Sequence, residues 1–547
     1  MNHKLPSRLL LAAALATALP APPLLAQPST RSDTGDIRLP SLGESAGDDF
    51  PVGTERRLGE QIMAEVRRDP AYLDDPLLLD HLQSMWLPLL AAARARGNIS
   101  ADLESAFAWE AFLVRDRSIN AFALPGGYVG VHLGLMAATG TRDELASVLA
   151  HELSHVTQRH IARGIASSSR QSLVGLAAML LGVLAASRAS SVDATQAVIV
   201  GSQAAVAQGQ LNFSRDMERE ADRIGWGVHQ GAGFAPQGMA AMFERLENAY
   251  RLTDSGSFPY LRSHPLTVDR IGEARSRLDA TPGSATRSPL RPTLDHQLMQ
   301  ARARVLMDPA VQSLRRWQAA DAGALSGGER LAALYGSALA SLELRDVARA
   351  QTTLDAALPL MPKDALKDSD NARAAFALGA LQAQVWQASG QAPRALAWFE
   401  AQRSPALAGP AARPLLLLRA QAAIDVARAG GAGAVNAPLR NSTEALQTWV
   451  AEHKIDATAW ALLAQGADLL GLKLRSMRAD GEAAAARGDL VGALDRLRAA
   501  QRQARSGGGG SAPDFIEVSI IDARLRELTA QRRTQLAEAR GEKNPDR

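Results

Sequence analysis

From Glu55 to Arg96 apolar residues recur every three or four positions, as in LGEQIMAEV and LLLDHLQSMWLPLLAAA, which predicts helices. Asp69-Pro70 and Asp75-Pro76 separate them. Residues 107–133, FAWEAFLVRDRSINAFALPGGYVGVHL, alternate apolar with other residues around a Pro125-Gly126-Gly127 interruption, so short strands are expected. The helical period returns from Asp143 to Arg163, with Thr141 as N-cap and Glu144 completing a capping box. Another helix is expected over 196–230; Gly231–Gly233 ends it and Pro236 starts the next.

Beyond about residue 300 the chain becomes alanine-rich and repetitive. Leu334, Ala338, Ala350, Leu354, Ala357 and Pro362 mark one unit, and Ala383, Gly390, Ala395 and Phe399 a second. Trp460, Leu463, Ala464, Gly488, Ala493, Leu497 and Ala500 mark a third. Small residues where two antiparallel helices cross, a large apolar residue four later and a closing proline form the tetratricopeptide pattern; a generic helical bundle is the alternative. Such pairs stack into a concave surface that takes peptides or partner proteins. GGGGS at 507–511 reads as a flexible loop.

Two apolar runs stand apart. MNHKLPSRLLLAAALATALPAPPLLAQ has Lys4 and Arg8 before a short apolar stretch and small residues up to Ala26, a secretory signal pattern. Residues 173–186, LVGLAAMLLGVLAA, fall short of the about 20 residues a membrane span needs. They fit a buried or interface-facing helix, or a surface that dips into a membrane or meets a client. The organisation expected is a mainly α protein: signal peptide 1–26, extended arm 27–50, an α+β domain with a small β-sheet over 51–290, and an all-α tetratricopeptide-like solenoid over 300–540.

Composition narrows the function. The 547 residues suffice for two or three domains. Net charge is only +3 and no basic run is interleaved with aromatics, so nucleic acid is not an expected partner. There is no cysteine, which excludes thiol catalysis, cysteine-ligated zinc, disulfides and a lipid-modified N-terminal cysteine.

The candidate chemistry lies in LAHELSHVTQRH, residues 149–160. His151-Glu152-Leu153-Ser154-His155 is H-E-x-x-H, which places both imidazoles on one helix face within reach of one Zn²⁺. Glu152 projects beside the pair, where it can act on a metal-bound water as the catalytic base. His160 is a different case. A third ligand ten residues after His151 would be Ile161, and His160 at nine residues falls on the opposite face of a continuing helix. His160 is therefore set aside as a surface or second-layer residue. In SRDMEREADRIG, Glu218 and Asp222 share a helix face: Glu218 is the candidate third ligand and Asp222 an acceptor for a histidine N–H, while Glu220 points away. A solvated acidic face paired with Arg215, Arg219 and Arg223 is the alternative.

HELSHVTQRHIAR, EREADRIG and SHPLTVDRI, with LPSLGESAG and INAFALPGGYVGVH, resemble the zinc metallopeptidase family that includes HtpX and the CAAX prenyl endopeptidases. Within it they most resemble the periplasmic members with a C-terminal tetratricopeptide domain. The resemblance implies one Zn²⁺ per chain, with Glu218 completing the set of His151 and His155. It implies an edge strand around Asn120–His132 to which an extended substrate adds by backbone pairing. It also implies a role for His264, in His264-Pro265-Leu266: stabilising a tetrahedral oxyanion, or occupying the open zinc position as a latch. The activity implied is periplasmic endoproteolysis of misfolded or misassembled outer-membrane proteins, with the repeats binding clients or their assembly machinery. The competing reading is a chaperone or scaffold for outer-membrane protein assembly with proteolysis held in reserve.

Overall fold

Proline and glycine punctuation set the elements where the sequence places them. A computed structural model describes residues 50–167, 215–252, 259–281, 290–402, 409–430, 437–505 and 515–539. The expected signal peptide, arm residues 27–49, the 173–186 run, the start of the expected 196–230 helix and the 507–511 stretch lie outside the described residues.

Helix α1 (Val52–Val66) leads through the two-residue strand β1 (Tyr72–Leu73) to α2 (Pro76–Ala95), which starts on Pro76 with Asp75 as N-cap. After the short α3 (Ala101–Ala106) come β2 (Glu110–Val114), β3 (Ala121–Leu124) and β4 (Tyr128–His132). They form a mixed sheet in the order β1-β2-β4-β3, with β2 parallel to β4 and β3 antiparallel to it. Pro125-Gly126-Gly127 is the turn between Leu124 and Tyr128, which pair directly. Only β3 of the Asn120–His132 stretch is an edge; β4 is internal, and Tyr128 is buried in it.

Helices α4 (Leu133–Ala138) and α5 (Arg142–Thr157) follow. Thr141 caps α5 by accepting from the Glu144 amide. The return leg of the capping box is shifted by one residue: the Glu144 carboxylate accepts from Gly140 N–H and from Arg245. The single helix expected over 143–163 is in fact two. Arg159 adopts a left-handed φ of 51° and α6 (His160–Ser167) starts afresh. Arg159 is held there by Glu55 and the Phe50 carbonyl.

Then come α7 (Arg215–Gly231), α8 (Gln237–Leu252), α9 (Pro259–Ser263) and α10 (Val268–Ala280). Gly225 lets α7 lie directly on α5: a Cβ there would come within 3.1 Å of the Ala150 carbonyl oxygen.

Helix α11 (Leu294–Leu306) packs against α2 and α4 as well as the helices after it. His81 on α2 meets Asp295 at 2.7 Å and His296 at 3.1 Å, all three buried. Arg302 on the same helix donates to both oxygens of Asp75. The expected boundary near 290–300 thus leads into a helix that shares its core with both sides, and one apolar cluster runs from Ile62 to Ala486.

After α12 (Val311–Gln318) consecutive helices pack in pairs: α13 (Gly327–Glu343) with α14 (Val347–Ala357), α15 (Ser369–Ala388) with α16 (Ala392–Glu400), and α17 (Arg413–Gly430) with α18 (Ala437–Glu452). Next are α19 (Ala457–Leu469) with α20 (Lys473–Ala486), and α21 (Leu490–Arg505) with α22 (Phe515–Ala539). The alanines read as crossing points, among them Ala338, Ala350, Ala383, Ala395 and Ala493, are buried, whereas Gly390 is exposed at the turn after α15, with φ of 81°. The third expected unit spans parts of two pairs, since Trp460 is on α19 and Ala493 on α21; the α17–α18 pair was not foreseen. Gly488, with φ of 80°, presses on α1, where a Cβ would meet Ala64 Cα at 2.7 Å.

Elsewhere, Asp80 on α2 pairs with Arg373 on α15. Burial pushes its carboxyl up to about 6, against the pull of Arg373 and with help from Asp295. The folded chain therefore holds more protons than the unfolded one between about pH 4 and 6, so Asp80 contributes less to stability as pH rises through that window. In thermal melts, Asp80→Asn should gain on wild type between pH 4.5 and 6.5. A difference constant with pH would contradict this.

Candidate metal centre

Helix α5 turns His151 and His155 to the same side, with Nε2 atoms 3.0 Å apart. From α7, Glu218 reaches the same point: Oε2 lies 3.4 Å from His151 Nε2 and Oε1 3.4 Å from His155 Nε2. His264, just after α9, brings Nδ1 to 2.9 Å from Glu218 Oε1 and 3.4 Å from His151 Nε2. All four are buried, and one ligand atom from each lies within 4.8 Å of the others.

Such donors repel one another unless a proton or cation lies between them. Two or three imidazoles and a carboxylate form the donor set that a borderline divalent ion takes. The residues fit a divalent metal. Electrostatics agree. Burial holds His155 well below the usual imidazole range, reinforced by His151, so it is neutral and can ligate. Burial would raise Glu218, but His264 and His151 outweigh it and keep the carboxylate ionised. Burial likewise opposes a charge on His151, yet Asp222 and Glu218 hold a proton there; the same carboxylates would hold a dication.

Each helical histidine is backed from outside. Asp222 Oδ1 approaches His151 Nδ1 at 3.0 Å. Arg270 on α10 donates to both Asp222 oxygens at 2.6 and 2.8 Å, and its Nη1 lies 2.8 Å from Glu218 Oε2. Behind His155 stands His160, with its Nδ1 2.8 Å from His155 Nδ1 and its Nε2 3.1 Å from Glu220. His160 is outside the four-donor cluster, but not for the helical reason given above: the break at Arg159 turns it back onto His155, and it is fully buried. Glu220 points away from the cluster, to His160 and Arg163.

Glu152 is fully buried, and neither carboxylate oxygen has a hydrogen-bond partner among the described residues; His264 Nε2 is 3.6 Å away. The Tyr260 ring lies 4.7 Å from that of His264. Arg270 is the residue that sequence reasoning missed. A cation at the third position of a helix N-capped by Thr267 opposes the helix dipole, and that was the available signal.

An HExxH helix facing a carboxylate from a second helix, with a buried glutamate beside the donors that accepts no hydrogen bond among the described residues, defines a metallopeptidase. Peptidase family M48 matches residues 88–278, which contain every site residue named above. A Vibrio cholerae relative is 35% identical over 352 residues, 64% of this chain and 67% of its own length. The beta-barrel assembly-enhancing protease of Escherichia coli K12 is 31% identical over 334 residues, 61% of this chain and 65% of its own. That of Yersinia pestis is 28% identical over 502 residues, 90% and 91% of the two chains. The chain belongs to peptidase family M48.

Proposed function

We propose that this is an exported, periplasmic zinc endopeptidase that hydrolyses misassembled outer-membrane proteins, with its helix pairs acting as tetratricopeptide repeats that bind clients or their assembly machinery. The buried His151–His155–Glu218 cluster carries the reading, and the names of the relatives support the substrate class. Zinc held there supplies Lewis acidity to water and to the scissile carbonyl. Glu152, with no competing hydrogen bond, takes the water's proton and delivers it to the leaving amine. Arg270 and Asp222 hold His151 and Glu218 in place. The outer edge of β3, beside α5, offers an extended substrate its backbone groups.

His264 is read as a latch rather than an oxyanion donor, because its Nδ1 sits among the ligand atoms. His264→Ala is then expected to cleave an unfolded β-barrel substrate faster than wild type, by about tenfold or more, with chelator stopping both. An unchanged or lower rate in His264→Ala would reject the latch; cleavage that survives chelator would reject the function.

A chaperone or scaffold role has its own support. A cavity of about 820 Å³ opens between α2, β1 and the α18–α19 turn, with Leu87 and Ile455 exposed beside Tyr72 and Trp449. It can take apolar side chains of a client at a distance from the metal centre.

A further inference from the structure

We propose that His160 is the positioning residue for His155, setting its tautomer so that Nε2 is free to ligate; this rests on the metal reading above. Ligation through Nε2 puts the His155 proton on Nδ1, where that N–H needs an acceptor in a fully buried place. The only arrangement of protons that serves the whole chain runs outward. His155 Nδ1–H donates to His160 Nδ1 across 2.8 Å, and His160 Nε2–H donates to Glu220 Oε2 across 3.1 Å. Glu220 is anchored in turn by Arg163, whose Nη1 donates at 2.8 Å. Each link fixes the next, from a surface-reaching ion pair down to the ligand nitrogen.

The two helical ligands are thus oriented by different chemistry. His151 has a carboxylate behind it, Asp222, itself clamped by Arg270. His155 has a neutral imidazole behind it. With the His155 proton on Nδ1, the 2.8 Å Nδ1–Nδ1 contact makes His160 Nδ1 the acceptor. The device depends on the break at Arg159, because a continuing helix would carry residue 160 to the far side. An imidazole also adds less negative charge than a carboxylate would beside a centre already holding Glu218, Asp222 and Glu152.

The test is Zn²⁺ affinity, measured on the full-length protein by competition with a chromophoric chelator, alongside thermal melts of the metal-free form. His160→Phe keeps the ring volume but removes the acceptor, and should weaken zinc binding by about tenfold to a hundredfold. His160→Gln, whose side-chain oxygen can accept the same N–H, should recover most of that. Metal-free melts should change less, because without metal His155 can carry its proton on Nε2 instead. Should His160→Phe fail to fold, Glu220→Ala, nearer the surface, should show a smaller loss of the same kind. Affinity within twofold of wild type in the variants that fold would overturn the proposal, as would equal losses in Phe and Gln. A wild type that binds no zinc would instead overturn the metal reading on which it rests.

Discussion

Glu152→Gln is expected to lower peptide-bond cleavage by about 10²- to 10⁴-fold while leaving metal content unchanged. The substitution is nearly isosteric, so the packing of α5 against α7 should persist. Glutamine cannot take a proton from water, and among the described residues no other carboxylate outside the four-donor cluster is placed beside it. His264 Nε2 lies 3.6 Å from Glu152, but in this arrangement its other nitrogen lies among the ligand atoms. Metal content stays because Glu152 is outside the four-donor cluster. Cleavage of an unfolded β-barrel protein, measured with metal analysis of the same preparation, checks both halves. Activity near wild type would remove Glu152 from the role of base. Loss of metal together with activity would make Glu152 a ligand or its support instead.

Arg270→Met should cost about 3–5 kcal/mol of stability near neutral pH, because it strips a buried cation from two buried carboxylates. The sign of the pH dependence follows from Asp222. In the wild type its carboxyl is lowered: burial works against the charge, but hydrogen bonding and attraction from Arg270 and His151 prevail. That contribution is present above the unfolded carboxyl range and is lost as pH falls through the lower folded value. Without Arg270, burial dominates and the carboxyl rises, so the variant should recover toward wild type between about pH 7 and pH 4.5. Chemical denaturation of both metal-free proteins at the two pH values measures this. A loss under 1 kcal/mol, or one equal at both values, would show that Arg270 does not carry the charge of the site. The variant should also bind metal more weakly, since Glu218 loses the group that aims its second oxygen.

How far the sequence reads into this structure depends on whether a feature is local. The spacing of His151 and His155, and of Glu218 and Asp222, fixes which side chains share a helix face. The structure brings those two faces together across Gly225. Pro125-Gly126-Gly127 and Gly231–Gly233 likewise fall at a turn and a helix end. What did not read out is non-local. Arg159 is not a residue type that announces a left-handed φ; Glu55 and the Phe50 carbonyl, over a hundred residues away, hold it there. The position of His160 follows from that one dihedral. Arg270 resembles an ordinary helix-surface arginine until α10 is packed on α7. Helix α11 reads as the start of the repeats, yet Asp295 and His296 tie it to His81.

Zinc K-edge absorption on the purified full-length protein reads the ligand shell of the His151–His155–Glu218 centre. One zinc per chain is expected, with nitrogen and oxygen ligands only, at about 2.0–2.2 Å, and imidazole scattering from at least two histidines. Glu218→Ala should also lower the zinc content. A protein without stoichiometric metal, or a shell without imidazole, would contradict the assignment of His151, His155 and Glu218.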